Sequence, residues 1–288
     1  MDASDRIEQA LTNALEGGEA GSPPRLAAAM RHAVFPGGAR IRPRLCLAIA
    51  AASGDNEPGI AEAAAAAIEL LHCASLVHDD LPCFDNAATR RGRASVHQAF
   101  GERLAVLAGD ALIVLAFETL ARRAAHAPDR LVRLLATVSS AVGAPHGIAA
   151  GQAWECEPTA DLASYHRSKT GALFVAAVTA GAEAAGSNPV PWRTLGERLG
   201  EAYQVADDIR DVASTELDLG KPANKDSELG RPNAVDQFGL ASAVKRFDEL
   251  VFKAVSAIPR CAGASMLRHL IRQEAERLIP EQFIGRAA

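Results

Sequence analysis

Two clusters of aspartates adjoin apolar stretches of the chain, where solvated surface is not expected. They are Asp79, Asp80 and Asp85 in the segment HDDLPCFDN, and Asp207, Asp208 and Asp211 in the segment YQVADDIRD. Either cluster alone could be a solvated helix terminus, because short acidic motifs often occur by chance. Two such clusters favour metal binding. Carboxylate oxygens with few histidines nearby suit Mg²⁺, which binds through one or two carboxylates together with substrate phosphates.

The first cluster is predicted to end a helix. The stretch from Ile60 to about Leu81 is rich in alanine and continues one apolar face, and Pro82 should end or kink it. Asp79 and Asp80 then lie at the helix C-terminus, where the macrodipole disfavours further negative charge. A cation is needed there to offset the repulsion.

The second cluster is predicted to lie within a helix. Asp207 and Asp211 are four residues apart and share a face with Gln204. Like charges at this spacing repel by roughly 0.2 to 0.5 kcal/mol on an exposed helix. If the cation is a magnesium diphosphate, its oxygens also need basic residues. Segments near the clusters supply them, although each basic group alone would be interpreted as a surface charge: GGARIRP at 37–43, RRGR at 90–93, KTG at 169–171 and the loop from Lys221 to Arg231.

The remaining sequence predicts an all-α protein. Of the 288 residues, 49% are hydrophobic and only 5% aromatic, a balance that comes from Ala, Leu and Val. Apolar residues recur at helical spacing, and no series of alternating strand-forming residues interrupts them. No linker and no internal repeat is apparent. We therefore expect one helical domain over residues 1–288.

Charge and cysteine content exclude several classes of protein. A net charge of -5 and a pI near 5.9 give no basic surface for nucleic acid. The five cysteines form no CxxC pair, and their odd number argues against a disulfide framework. The N-terminus lacks the pattern of a secretory signal, and polar residues interrupt each candidate membrane span. We expect a cytoplasmic protein with no nucleic-acid partner and no membrane span.

The motifs together resemble those of the trans-isoprenyl diphosphate synthases, or polyprenyl synthetases. The resemblance extends from GGARIRP to about Pro232 and includes both aspartate motifs in order, with RRG, GQ, KTG and YQ. The class I terpene cyclases, which share the fold, differ at the second cluster, where an Asn/Ser/Glu triad replaces the aspartates. The resemblance implies the isoprenoid synthase fold, a bundle of roughly ten or more helices around a central apolar cavity.

The resemblance also implies a reaction. The allylic diphosphate ionises to a carbocation, the terminal alkene carbon of isopentenyl diphosphate attacks it, and loss of a proton gives an allylic product one isoprene unit longer. It implies three Mg²⁺ per active site, diphosphate substrates and a homodimer. Cations stabilise the departing diphosphate, and a water-poor apolar cavity protects the carbocation.

Residue roles follow from the same resemblance. All six aspartates are assigned to the metal ions, with Asp79, Asp85 and Asp207 as direct ligands, and Asp80, Asp208 and Asp211 binding or orienting through water. The residues assigned to the allylic diphosphate are Arg90, Lys169, Lys221 and Arg231. Those assigned to isopentenyl diphosphate are Arg40, His72 and Arg91. Without the resemblance, His72 would be interpreted as a core histidine.

The predicted catalytic residues are Lys169, Thr170 and Gln204. Thr170 and Gln204 match positions that place dipoles near the carbocation, and the departing diphosphate is the expected base. Gln152 and Glu155 match positions near the first metal ions, outside the ligands themselves.

This sequence departs from the family pattern at three places. Ala39 replaces the usual Lys, which removes one contact to isopentenyl diphosphate and should raise its KM. Asn224 stands where Gly is common and leaves the orientation of Lys225 open, and Asn233-Ala234 replaces a Thr/Tyr-Pro continuation. Because both aspartate motifs are intact, we expect an active enzyme. The alternatives are a non-catalytic subunit of a prenyl synthase and a helical protein that binds Mg²⁺ without turnover.

Ala74 and Ser75 are predicted to set the product length. They precede the first aspartate by about 6 to 7.5 Å along the helix, where the growing chain would descend. Family members that stop at farnesyl usually carry an aromatic ring at the Ala74 position. The expected product is therefore geranylgeranyl diphosphate, with farnesyl diphosphate as the alternative. The spacer 81–84 is of the bacterial and plastid type, and Leu71 or residues 112–115 could form the floor of the cavity.

Overall fold

The computed structural model describes residues 2–35, 37–159, 162–213, 235 and 239–279. The α-helices are α1 (Ala3–Glu19), α2 (Pro24–Val34), α3 (Ile41–Ala52), α4 (Pro58–Asp79), α5 (Val96–Phe100), α6 (Glu102–Ala124), α7 (Pro128–Val142), α8 (Ile148–Ala153), α9 (Leu162–His166), α10 (Ala172–Ala184), α11 (Arg193–Ala213), α12 (Leu240–Ser256) and α13 (Ala264–Glu276). Short 3₁₀ turns cover Trp154–Cys156 and Val190–Trp192, and a π-helical turn covers Arg167–Gly171. The predicted all-α class with ten or more helices is confirmed.

The strands found in the described ranges are two residues long. Thr89–Arg90 pairs antiparallel with Arg93–Ala94, and this hairpin follows the first aspartate cluster. The described residues divide into two compact units, one of residues 1–139 with 180–188 and one of residues 140–179 with 189–288. The single domain over residues 1–288 stays a prediction.

In the first unit, α4 is a core helix because small apolar residues surround its axis. Ala63, Ala64, Ala65, Ala66 and Ala67 are all at most 3% exposed. A helix that is apolar on every side is normally buried, and α4 packs against α3 and α6. Its observed end at Asp79 lies three residues before Pro82, so the predicted helix is confirmed with its boundary slightly earlier.

Two described helices, α4 and α6, are long and apolar enough to cross a membrane by length and composition alone. The most apolar window of α4 is 78% buried inside the structure, and that of α6 is 39% buried. Core helices of soluble proteins pass the same test, so this is weak evidence for a membrane span. Charged residues do interrupt both helices, at Glu62 and Glu69 in α4 and at Arg103, Asp110 and Glu118 in α6. The absence of a span stays a prediction.

In the second unit, α11 lies directly against the π-helical turn. An ideal Cβ on Gly200 would be 2.6 Å from the Cα of Gly171, so position 200 has no room for a side chain. On another face of α11, Ala206 and Ile209 belong to a cluster of buried apolar residues that includes Phe247 of α12. These contacts bring the KTG segment close to the helix of the second aspartate cluster.

Candidate active site

The first aspartate cluster lies at the C-terminal end of α4, as predicted. Asp79 is the last residue of the helix and Asp80 follows it, with 8% and 2% of their surfaces exposed. The chain then turns back, because the backbone N–H of Asp85 donates to the carbonyl oxygen of Asp79 at 2.9 Å. The third aspartate is therefore held beside the first two.

Arg90, at the end of the first hairpin strand, forms an ion pair with Asp80. Its Nε donates to Oδ1 at 3.0 Å, and its Nη2 donates to the same oxygen. Burial raises the pKa of the Asp80 carboxyl, and Arg90 opposes that rise. Burial lowers the pKa of Arg90, but the hydrogen bond with Asp80 and the charges of Asp80, Asp79 and Asp85 together raise it by more. The repulsion between adjacent carboxylates is therefore partly offset by Arg90, which was predicted to bind the allylic diphosphate.

The cluster has the donor chemistry of a magnesium site. Among the described residues, no three or more His, Cys, Asp or Glu side chains converge into a closed metal site. Mg²⁺ normally takes one or two protein carboxylates and completes its shell with water and phosphate oxygens. Asp79, Asp80 and Asp85 supply hard oxygen ligands of that kind, and their charges influence one another.

A pocket of positive charge surrounds His72, about two turns before the aspartates on α4. Burial, followed by the charges of Arg42, Arg91, Arg90 and Arg40, holds the pKa of His72 well below its ordinary value. The imidazole is therefore neutral within a strongly positive region, which suits a bound anion. The three residues predicted to bind isopentenyl diphosphate, Arg40, His72 and Arg91, are brought together here.

Arg40 uses most of its hydrogen-bond donors within the protein. Its Nε donates to Glu8 at 2.8 Å, its Nη1 to Glu69 at 2.6 Å, and its Nη2 to the carbonyl oxygen of Val34 at 2.8 Å. Burial alone would lower the pKa of Arg40, but Glu8 and Glu69 raise it above its ordinary value. A guanidinium with these partners has few donors left for a diphosphate.

Arg42 is the pocket residue that sequence reasoning missed. It lies in the first turn of α3, is 7% exposed, and exerts the largest electrostatic effect of the four arginines on His72. The signal was present in GGARIRP, which contains both arginines. Only the first was assigned to the diphosphate, and the hydrogen bonds that Arg40 makes within the protein favour the second.

The two glycines of GGARIRP make room for guanidinium groups. An ideal Cβ on Gly37 would lie 2.3 Å from Cζ of Arg40, and one on Gly38 would lie 2.9 Å from Nε of Arg91. Real Cβ atoms essentially never come closer than 3.0 Å to another heavy atom. A methyl group at either position would therefore force the neighbouring guanidinium to shift.

The second aspartate cluster lies on α11, as predicted. Asp208 and Asp211 are buried, with 1% and 4% of their surfaces exposed. Asp207 accepts a hydrogen bond from Nη2 of Arg210 at 2.9 Å, so this cluster also carries an internal cation.

Gln204 and Thr170 form a hydrogen-bonded chain that ends on the second cluster. The Thr170 hydroxyl donates to Oε1 of Gln204 at 2.7 Å, and Nε2 of Gln204 donates to Asp208 at 2.9 Å. The sequence pattern placed Gln204 on the helix face of Asp207 and Asp211. In the structure, its side-chain amide instead donates to the carboxylate of Asp208, four residues further along the chain. Two of the predicted catalytic residues are thereby connected to the aspartates.

Lys169 lies in the π-helical turn and forms an ion pair with Glu155. The hydroxyl of Tyr165 donates to the same carboxylate oxygen at 2.7 Å. Gly151 lies against this turn, since its ideal Cβ would be 2.4 Å from the backbone nitrogen of Lys169. Single π-helical turns often occur at functional sites. Glu155, predicted to lie near the metal ions, is a direct partner of Lys169.

The structure also gives the positions of several other residues that the sequence analysis singled out. Ala74 is buried on α4 with 1% of its surface exposed, and the Ser75 hydroxyl donates to the carbonyl oxygen of His72 at 2.8 Å. Gln152 lies on α8, and Ala39 is exposed. Lys221, Asn224, Lys225, Arg231, Asn233 and Ala234 lie outside the described residues.

Known proteins resemble this chain over nearly its whole length. The polyprenyl synthetase family model matches residues 23–267. The geranylgeranyl diphosphate synthase of Cereibacter sphaeroides is 50% identical over 287 residues, which cover 99% of this chain and 100% of that protein. The geranylgeranyl diphosphate synthase of Rhodobacter capsulatus is 49% identical over 280 residues, which cover 97% of each.

A solved structure extends the similarity to the fold. The geranyltransferase from Helicobacter pylori, complexed with magnesium and isoprenyl diphosphate, has a TM-score of 0.76 and 29% sequence identity, covering 97% of this chain and 98% of that one. The predicted fold is confirmed by this similarity. Since the family model and both relatives cover most of the chain, this protein belongs to the polyprenyl synthetase family.

Proposed function

We propose that this protein is a Mg²⁺-dependent prenyltransferase that condenses isopentenyl diphosphate head to tail with allylic diphosphates, with geranylgeranyl diphosphate as its main product. The observation that carries the proposal lies in the first unit, where the aspartates at the end of α4 adjoin the arginine pocket around His72. The names of the two bacterial relatives support the product. The magnesium and isoprenyl diphosphate in the H. pylori structure support the ion and the substrate class.

The aspartates and basic residues take complementary roles in this proposal. The six aspartates of the two clusters supply the ligands for three Mg²⁺, which when bound would neutralise charge on the departing diphosphate. The allylic diphosphate is bound by Arg90 and Lys169, together with Lys221 and Arg231. Isopentenyl diphosphate is bound by Arg42, His72 and Arg91, with Arg40 as a supporting cation.

Thr170 and Gln204 are proposed to stabilise the carbocation. The Thr170 hydrogen is directed to Gln204, so the lone pairs of its oxygen are the part available to a positive charge. The Gln204 amide is fixed at both ends, by Thr170 and by Asp208. Dipoles held in place before reaction stabilise developing charge without reorganisation. The departing diphosphate is the proposed base.

The proposed function is tested by mixing the purified protein with Mg²⁺, isopentenyl diphosphate and each allylic primer in turn. We expect release of diphosphate and a mainly four-unit product, with turnover abolished by a chelator. A dominant farnesyl product would contradict the product assignment. No diphosphate release with any primer would favour a non-catalytic subunit or a protein that only binds Mg²⁺.

Replacing Glu155 with Gln should weaken binding of the allylic substrate. The amide oxygen can still accept from Tyr165, but the charge that holds the Lys169 ammonium is lost. A charge-assisted bond contributes about 1.5 to 3 kcal/mol, so we expect the KM of the allylic primer to rise by about tenfold. Steady-state kinetics with each substrate varied separately measures this effect. The control is Glu197→Gln, which removes an exposed carboxylate paired with Arg193 on α11. An unchanged primer KM in the Glu155 variant would show that this pair does not position Lys169.

We further propose that the protein is a cytoplasmic homodimer, as the family resemblance implies. Three large apolar residues of α6 are exposed in the single chain: Val106, Leu107 and Val114 at 41%, 52% and 65%. A second copy of the chain would remove such residues from water. The mass measured by light scattering decides between monomer and dimer.

A further inference from the structure

We propose that Glu69 is a positioning residue for isopentenyl diphosphate, because its carboxylate holds the Arg91 guanidinium in the pocket around His72. The proposal rests on the proposed function and extends it to a residue that binds no substrate itself. Glu69 lies on α4 three residues before His72, and only 2% of its surface is exposed. A buried carboxylate is costly unless cations and hydrogen bonds compensate it.

The compensation comes from two arginines that arrive from different segments. Oε1 of Glu69 accepts from Nη1 of Arg40 at 2.6 Å and lies 3.8 Å from Nη2 of Arg91. The positive charge of Arg91 also lies close enough to the buried thiol of Cys73, one helical turn after Glu69, to oppose the rise in the pKa of that thiol. The Arg91 guanidinium therefore lies beside the face of α4 that carries Glu69 and Cys73.

The backbone of both arginines is unusual. Arg40 and Arg91 have φ angles of 50° and 54°, in the left-handed region that residues other than glycine rarely adopt. Among the described residues, Asn86 is the remaining non-glycine residue with positive φ. Such conformations persist where surrounding contacts determine them, and they concentrate at functional sites. Glu69 is a contact that both arginines share.

The Arg91 guanidinium lies against the backbone of the GGARIRP turn. Gly38 presents no side chain to it, and the hairpin turn that carries Arg91 continues through exposed Gly92. The ion pair with Glu69 therefore helps to determine where the charge lies. A cation placed in advance binds an anion at a smaller entropic cost than one that must be ordered on binding.

A positioning role and a simple charge effect predict opposite results. If Glu69 acted only as a counter-charge, its removal would make the pocket more positive and would tighten diphosphate binding. If Glu69 positions Arg91, its removal weakens binding although the pocket becomes more positive. Replacement by Asp keeps the charge but shortens the side chain by one methylene, which withdraws the carboxylate from Arg91.

The experiment compares Glu69→Gln and Glu69→Asp with the wild-type enzyme. We expect the KM of isopentenyl diphosphate to rise by about tenfold in each, with the KM of the allylic primer changed less than about twofold. The matched control is Glu62→Gln, on the same helix two turns earlier, where the carboxylate pairs with Arg6 at 2.9 Å. It should leave both constants unchanged. Asp at position 69 retains the buried charge, so it provides the test if the Gln variant does not fold.

Titration calorimetry with inorganic pyrophosphate separates this inference from the proposed function. If the wild-type protein releases no diphosphate but binds pyrophosphate, the proposed function fails and the Glu69 variants are compared by affinity. Weaker binding in the folded variants then supports the inference. Wild-type or tighter binding in the folded variants overturns it, as does a wild-type protein that binds no pyrophosphate.

Discussion

Asp79→Asn is expected to lower turnover by about 10²- to 10³-fold, as does the loss of one strong electrostatic contact to a transition state in other enzymes. Asn has nearly the same shape as Asp but removes the charged oxygen ligand at the end of α4. Folding should not suffer, because one like charge disappears from a helix C-terminus that already carries Asp80. We therefore expect a melting temperature equal to or above that of the wild type. Diphosphate release and thermal unfolding measure the two effects.

Asp129→Asn is the matched control for this variant. Asp129 lies exposed in the first turn of α7 and belongs to neither cluster. Its replacement should leave turnover unchanged and should slightly lower stability, because negative charge is favourable at a helix N-terminus. Wild-type turnover in the Asp79 variant at ordinary magnesium concentrations would contradict its role as a metal ligand.

Ala74→Phe is expected to shorten the main product from geranylgeranyl to farnesyl diphosphate while turnover continues. Ala74 lies five residues before Asp79 on α4, about 7.5 Å along the axis, and is 1% exposed. A phenyl ring there would occupy the volume that the last isoprene unit needs. The larger side chain should also cost about 1 to 3 kcal/mol of stability through overpacking. Chromatography of the dephosphorylated products measures the chain length.

Ala51→Phe provides the control for the added ring. Ala51 lies exposed on α3, so a phenyl ring added there would lie on the surface and not in the core. This variant should keep the four-unit product. If Ala74→Phe also keeps it, this face of α4 does not line the cavity that holds the growing chain, and the prediction about Ala74 and Ser75 is wrong.

The helices and the first aspartate cluster could be predicted because their causes are local. Alanine content and apolar spacing predict α4, and the short spacer allows Asp85 to bond back to Asp79. The observed helix ends before Pro82 because the turn after Asp79 satisfies its own backbone groups. A boundary of that kind depends on the hydrogen bonds of individual residues.

The roles of the basic residues could be predicted less completely because their causes are distant in sequence. Arg40 and Arg42 are the same residue type in the same short motif, so the sequence does not distinguish them. Arg40 donates hydrogen bonds to Glu8, 32 residues away, and to Glu69, 29 residues away. A sequence pattern does not contain those contacts. Likewise, Glu155 and Lys169 were assigned to different parts of the site, although they form an ion pair across a separation of 14 residues.

If Asp80 binds a metal ion and Arg90 binds the allylic diphosphate, as proposed, the ion pair between them makes the binding of the two ligands cooperative. Asp80 cannot give its full charge both to Arg90 and to a metal ion, so ion binding would free donors of Arg90 for a diphosphate. Thermodynamic linkage is reciprocal, so a bound diphosphate must increase the affinity for the ion by the same factor. The apparent dissociation constant for Mg²⁺ should therefore fall as the allylic diphosphate concentration rises, and the enzyme should be saturated with both ligands together rather than with either alone.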